Sequence, residues 1–212
     1  MNLLIGIPTL DYINVEFVRC LLALEQRLKD DGVPYEVRFE SGTLVYAARE
    51  RIAQKAINGH YTHVLWLDAD MVFKPNILDD LMDNGKDYCC GVFHSRRPGY
   101  ASCIFKSIDI GKPNGVERYE EYPNDVFEIA GSGFGCVLTS KKILETVCLQ
   151  DGTCFLPKAG LGEDLAFCDR AKKHGFKLYC DPHVVIGHIG HITIWPEDRE
   201  RWKQTISNYN EV

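Results

Sequence analysis

The stretch VLWLDADMVF, Val64 to Phe73, decides the fold. Its apolar run, Val64 to Leu67, reads as a strand buried on both faces, the kind found in parallel sheets covered by helices. Asp68 and Asp70 follow at its carboxyl end. Ionised carboxylates do not stay inside such a sheet, so both must lie at its mouth, where open α/β sheets bind ligands. Two hard oxygen donors there suit a divalent cation such as Mg or Mn, which in turn bridges a diphosphate. The plainer reading is that an Asp after a strand caps the next helix.

Upstream, two βα units precede this strand. Asn2 to Ile7 reads as a buried strand, and the helix from about Asn14 to Lys29 places Phe17, Leu21, Leu24 and Leu28 on one face. Tyr35 to Phe39 reads as the second strand. Leu44 to Ile57 reads as a helix with Ala48, Ile52 and Ala56 inward, ended by Asn58 and Gly59. Downstream come a short helix from Pro75 to Met82 and a strand from Tyr88 to Phe93. Residues His94 to Asp125 are rich in Gly, Pro, Tyr and charge, with hairpin-like pieces at Ala101 to Lys106 and Val116 to Tyr122. Regular structure resumes with Val126 to Ala130, the run GSGFG at Gly131 to Gly135, a strand Cys136 to Thr139 and a helix Ser140 to Val147. A helix Glu163 to His174, a strand Lys177 to Cys180, the run HVVIGHIGH at His183 to His191 and a terminal helix from Pro196 to about Tyr209 complete the chain. This order predicts an α/β fold with a mostly parallel central sheet flanked by helices, and a small antiparallel or irregular segment around residues 94–125.

At 212 residues the chain is the size of one large domain, and a single domain over 1–212 is expected. Its end soon after the last helix suits a domain cut from a longer protein. A formal charge of −6 argues against a general nucleic-acid binder, leaving only a small local basic patch at Arg96 and Arg97. No run approaches the roughly 18 apolar residues of a membrane span, and MNLLIGIPTL has no basic leader, so the expectation is a soluble cytoplasmic protein. Nine cysteines without a CxxC pair read as buried free thiols in a reducing compartment. A zinc site from Cys148, Cys154 and histidines has the wrong spacing for the standard ribbons.

Taken together, the Asp-x-Asp on strand three, the Gly-Glu-Asp at Gly162 to Asp164 and the late His cluster resemble the metal-dependent nucleotide-sugar glycosyltransferases of the GT-A fold. The resemblance runs from Pro8 and Thr9, through YAARERIAQ (Tyr46 to Gln54) and LDAD, to GEDLAFCDRAKKHGFKLYCDP and GHIGH. The combination and order are specific, while each motif alone is not. Within that family the chain is similar to the amino-terminal domains of chlorovirus enzymes that glycosylate a capsid protein, which would place it in the host cytoplasm.

The resemblance implies that Asp70 binds the metal directly, while Asp68 contacts the ribose or metal-bound water. A late histidine completes the shell: His188 is the candidate and His191 the reserve. A neutral imidazole among oxygen ligands favours Mn over Mg or Ca. Thr9 and Asp11 past strand one, and Glu40 and Ser41 past strand two, are the edges between which this family holds base and ribose, with UDP as the implied nucleotide. Arg49 resembles the family's arginine that reaches the nucleotide or the first Asp; the plainer reading is a solvated helix face. Glu50 stands where relatives often carry Asn. In GSGFG, Gly133 would let backbone approach a sugar closely, and a tight turn is equally compatible. Glu163 and Asp164 open a helix, where negative charge also suits the dipole. In the functional reading Asp164 faces the acceptor hydroxyl, as general base if configuration is inverted and as an orienting group if it is retained. His183 reads as a turn residue and Trp195 as either a sugar platform or helix packing.

The function implied is therefore Mn-dependent transfer of a hexose or deoxyhexose from a UDP-sugar to a glycan or glycoprotein acceptor. Three other classes compete, of which a nucleotidyltransferase making sugar nucleotides would want a Gly-rich, basic loop after strand one, and GIPTLD is neither. DADMV also matches the Asp-x-Asp-x-Val signature of haloacid dehalogenase-type phosphatases, whose first Asp is a nucleophile, although that motif usually sits on the first strand of its domain. A noncatalytic sugar-binding module would need neither a metal-bound diphosphate nor a carboxylate opposite it.

Overall fold

The structure, a computed structural model, describes residues 1–97, 99–109, 111, 115–158 and 160–190. His191, Trp195 and the expected terminal helix lie outside the described residues. The elements run β1 Leu3–Pro8, α1 Val15–Asp30, β2 Tyr35–Glu40, α2 Val45–Asn58, β3 His63–Leu67, β4 Met71–Val72, α3 Ile77–Met82, β5 Tyr88–Val92 and β6 Ile104–Ile108. They continue with β7 Val116–Arg118, β8 Phe127–Ile129, β9 Gly131–Ser132, β10 Cys136–Ser140, α4 Lys141–Asp151, α5 Glu163–Lys173, β11 Leu178–Val185 and β12 Gly187–His188.

The central sheet has the order β2-β1-β3-β10-β5-β11-β8. Its pairings β1–β2, β1–β3 and β5–β11 are parallel, and only β10 and β8 run against the rest. The mostly parallel sheet is thus present, and the carboxyl ends of β1, β2, β3 and β5 share one edge. The Gly- and Tyr-rich segment between β5 and β8 supplies β6 and β7, which join β9 in a small antiparallel sheet of order β7-β6-β9.

Hydrophobic spacing explains the two layers of helices. On one face α1 buries Phe17, Leu21, Leu24 and Leu28, the four positions its period selects, beside Ile77, Leu78 and Leu81 of α3. On the other face α2, α4 and α5 cover an aromatic cluster in which the Phe155 and Phe167 rings stack at 4.9 Å and the Trp66 and Phe155 rings meet at 5.0 Å. Each such side chain, fully buried, contributes about 1.5–3 kcal/mol. The indole N–H of Trp66 is not left unsatisfied, because it donates to Thr139 Oγ1 at 2.9 Å. Gly6 of β1 is required for this packing: a Cβ there would come within 2.6 Å of Ile52 Cγ2 on α2.

Several boundaries differ from the sequence reading. Helix α3 starts at Ile77, two residues after Pro75, and α4 runs on to Asp151, where Gly152 at φ 72° supplies the left-handed stop. Strand β11 continues past Cys180 to Val185 through an irregularity after Asp181. GSGFG is not an exposed turn. Gly131 and Ser132 form β9, and all five residues are buried. Cys148 and Cys154 lie 2.9 Å apart at sulfur, with Glu50 and Gln54 as neighbours. The Glu50 carboxylate accepts from the backbone N–H of Cys154 and Phe155, so it pins the loop after α4. No described helix is long and apolar enough to cross a membrane.

Candidate active site

Asp68 leaves β3 with its N–H bonded to Gly135 O at 3.1 Å, so the chain stays attached to the sheet while the side chain reaches the mouth. Its Oδ1 accepts from Arg49 Nη2 at 2.8 Å. Arg49 sits in the first turns of α2, buried at 2% exposure, with its guanidinium 5.3 Å from the Phe134 ring centroid. Its Nε lies 3.5 Å from Glu163 Oε1, a charge contact in which neither Nε nor Nη1 finds a hydrogen-bond partner. The solvated-face reading of Arg49 is thereby corrected: the residue bridges the end of β3 to the start of α5. Burial alone would weaken its charge, but Asp68, Glu163 and Asp164 outweigh this and hold the guanidinium more basic than usual.

Asp70 is placed by a pairing invisible in sequence. Strands β4 and β12 join antiparallel, with His188 opposite Met71, and Ile189 N donates to Asp70 O at 2.8 Å. DADMV and GHIGH are therefore neighbours. His188 Nδ1 lies 2.8 Å from His94 O. A carbonyl only accepts, so Nδ1 carries the proton and Nε2 faces Asp70 Oδ2 at 3.4 Å. Arg96 Nη1 reaches the same Oδ2 at 2.5 Å. Burial opposes ionisation of Asp70, but His188 and Arg96 hold its carboxyl below the ordinary value. His188 is correspondingly raised, first by its hydrogen bond to Asp70.

Across the mouth, α5 starts without a side-chain cap at Gly162. Asp164 Oδ1 accepts from the N–H of Leu165 at 2.7 Å, so the capping role is partly filled. Burial, then the neighbouring Glu163, pushes its carboxyl up to about 6. Asp68 is raised as well, by burial first, with Arg49 opposing. Four carboxylates (Asp68, Asp70, Glu163, Asp164) against two guanidiniums (Arg49, Arg96) leave two negative charges when all are ionised. One divalent cation would balance that charge.

Do the residues fit such an ion? Among the described residues, no three His, Cys, Asp or Glu side chains form a ready metal-holding group. Asp70 and an oriented His188 imidazole do converge, and a hard cation that binds phosphates takes only one or two protein ligands, with phosphate oxygens and water completing its shell. The fit is that of a site completed by substrate. Asp68 is less available, because Arg49 already engages one of its oxygens.

The remaining expected positions divide. Thr9 N bonds to Glu40 O at 2.9 Å, so the ends of β1 and β2 are held together with Asp11 and Ser41 exposed beside them. The Glu40 side chain is not free: Arg38 and Arg51 flank it at 2.5 and 3.7 Å. Gly133 faces inward, where a Cβ would come within 2.9 Å of the Phe93 ring, so its lack of a side chain serves packing. His183 is not in a turn but in the irregular second half of β11, where its backbone N–H donates to Asp181 Oδ1 at 2.9 Å. Arg96, weighed in sequence only as part of a basic patch, is the addition that the structure makes.

Scanned against family models the sequence matches none, and no curated protein matches it. Solved structures do match in shape. A197 from STIV aligns at TM-score 0.63 and 18% identity over 89% of this chain and 86% of that one. GalNAc-T7 with UDP, GalNAc and Mn2+ aligns at TM-score 0.61 and 14% identity over 92% of this chain, which spans only 44% of that protein. The inositol-1-phosphate CTP transferase from T. maritima aligns at TM-score 0.51 and 12% identity, with 89% of each chain covered. At these identities the likeness is one of fold: the chain has a mixed α/β, GT-A-like architecture.

Proposed function

We propose that this chain is a metal-dependent glycosyltransferase that moves a hexose or deoxyhexose from a UDP-sugar to a glycan or glycoprotein acceptor. The observation that carries the reading is the joining of Asp70 to an oriented His188 at the sheet mouth, across from Asp164. The bound UDP and Mn of the GalNAc-T7 structure, on a shared fold, supports the same choice.

In this reading Asp70 and His188 Nε2 would hold Mn or Mg, which would offset the charge building on the departing diphosphate. Arg49 keeps Asp68 and Glu163 fixed at the ends of two elements, so that neither carboxylate wanders into the donor position. Thr9, Asp11 and Ser41 border the place for base and ribose. Asp164, with its carboxyl near 6, is mainly ionised at neutral pH yet basic enough to take a proton from an acceptor hydroxyl if configuration inverts. If configuration is retained, the same carboxylate orients a sugar hydroxyl.

The test is a transfer assay that follows UDP release from a panel of UDP-hexoses and deoxyhexoses with Mn, run alongside binding. Asp164→Asn should keep UDP-sugar binding near wild type and lower turnover by about a hundredfold or more, the scale of a lost general base. Phosphate release from simple phosphomonoesters, lost in Asp68→Asn and with no UDP binding, would replace this reading with the phosphatase.

A further inference from the structure

Asp70 Oδ2 has two suitors: His188 Nε2 at 3.4 Å and the Arg96 guanidinium at 2.5 Å. Any cation that binds between Asp70 and His188 must contend with Arg96 for that oxygen, and a guanidinium and a divalent ion repel each other there. The arginine is built to be present but loosely held. Its loop is tied at the root, through Ser95 N to Ala101 O at 2.8 Å and Tyr100 N to Arg97 O at 2.9 Å. Behind it, a Cβ on Gly190 would stand 3.3 Å from Arg96 Cβ, so the backbone packs on the segment just past β12, two residues beyond His188. The side chain itself is 51% exposed, against 28% for Asp70, so it can trade its carboxylate for another anion without leaving water.

Resting on the function proposed above, we propose that Arg96 is a positioning residue that exchanges partners during donor binding. It neutralises Asp70 until a divalent cation displaces it, and its fork then turns to the diphosphate, whose oxygens it matches in pairs. Arg96 thus makes the site bind metal poorly alone and well together with nucleotide.

The test uses calorimetry on wild type, Arg96→Met and Arg97→Met, the last carrying the same charge change in the same loop. Titrated with Mn alone, Arg96→Met should bind about fivefold more tightly than wild type, the worth of an exposed ion pair. Titrated with UDP at saturating Mn, it should bind about tenfold more weakly, from the loss of hydrogen bonds to a charged group. Arg97→Met should move neither affinity comparably. Affinities that move in the same direction, either one unchanged, or an Arg97→Met that reproduces the pattern would overturn the role of Arg96 while leaving the metal site standing. Absence of Mn binding in every protein, with UDP present as well as without it, would instead overturn the glycosyltransferase reading, and this inference with it.

Discussion

The two edges of the central sheet carry charge in opposite ways. Beside the starts of β5 and β11 an opening of about 550 Å³ is lined by Lys86, Lys142, His174, Phe176, Lys177 and Tyr179. Its charges are matched: Lys142 with Asp87 at 3.2 Å, Lys177 with Glu128 at 2.9 Å, His174 with Asp151 at 2.5 Å, and Lys86 over the Tyr179 ring at 4.5 Å. The carboxyl edge is unbalanced. Arg49 is buried there with two nitrogens lacking hydrogen-bond partners, and the carboxyls of Asp68 and Asp164 are both pushed up. Groups perturbed by burial and by each other mark a site of chemistry better than volume does, so the carboxyl edge is the one to which function is assigned.

This contrast breaks most visibly at Asp70. Asp70→Asn should weaken UDP binding in Mn by about a hundredfold or more, because a lost charged metal ligand is worth several kcal/mol. His188→Ala should weaken it less but measurably. Lys142→Met at the other edge should leave it unchanged, and a comparable loss there, read by calorimetry, would mean that the wrong edge has been chosen.

Stability should follow the same division. Arg49→Met leaves Asp68 and Glu163 without their shared cation and should cost about 3 kcal/mol, toward the low end for a broken buried pair because Asp68 is partly solvated. At about 2–4 °C per kcal/mol for a chain this long, melting should fall by roughly 6–12 °C. Lys142→Met, on an exposed ammonium, should stay within about 0.5 kcal/mol of wild type by denaturant unfolding.

A further effect lies in pH. Asp164 holds its proton more tightly when folded, near 6 against an ordinary 3.8, so its contribution to stability is complete below about 4 and is lost as pH rises through 6. Asp164→Asn removes that dependence. Melting temperatures compared from pH 4 to 7 should therefore show the variant gaining on wild type as pH rises. A gap that stays constant would mean that Asp164 is an ordinary surface carboxylate.

Which parts of this were legible in the sequence depended on how local the cause was. The α1 face was readable because four leucine and phenylalanine positions obey one helical period. Asp68 and Asp70 were readable because charge cannot follow Val64 to Leu67 into a sheet interior. Arg49 was ambiguous, since a helix position alone does not tell whether carboxylates from β3 and α5 will arrive to neutralise a buried guanidinium. The two-residue pairing of β4 with β12 carries no pattern at all, and His188 was selected through family resemblance rather than through spacing. Gly133 was ambiguous because a glycine that admits a substrate and one that admits the Phe93 ring look alike in sequence. Arg96 lies 26 residues from Asp70, and only the fold brings them together.

The central claim is that Asp70 and His188 bind the donor through a divalent cation, and titration of UDP into the wild-type protein tests it most directly. With Mn present, UDP should bind with a clear heat, and with EDTA in its place binding should fall by at least about a hundredfold, because a shared metal then no longer links carboxylate to diphosphate. Equal UDP affinity in Mn and in EDTA would contradict the account.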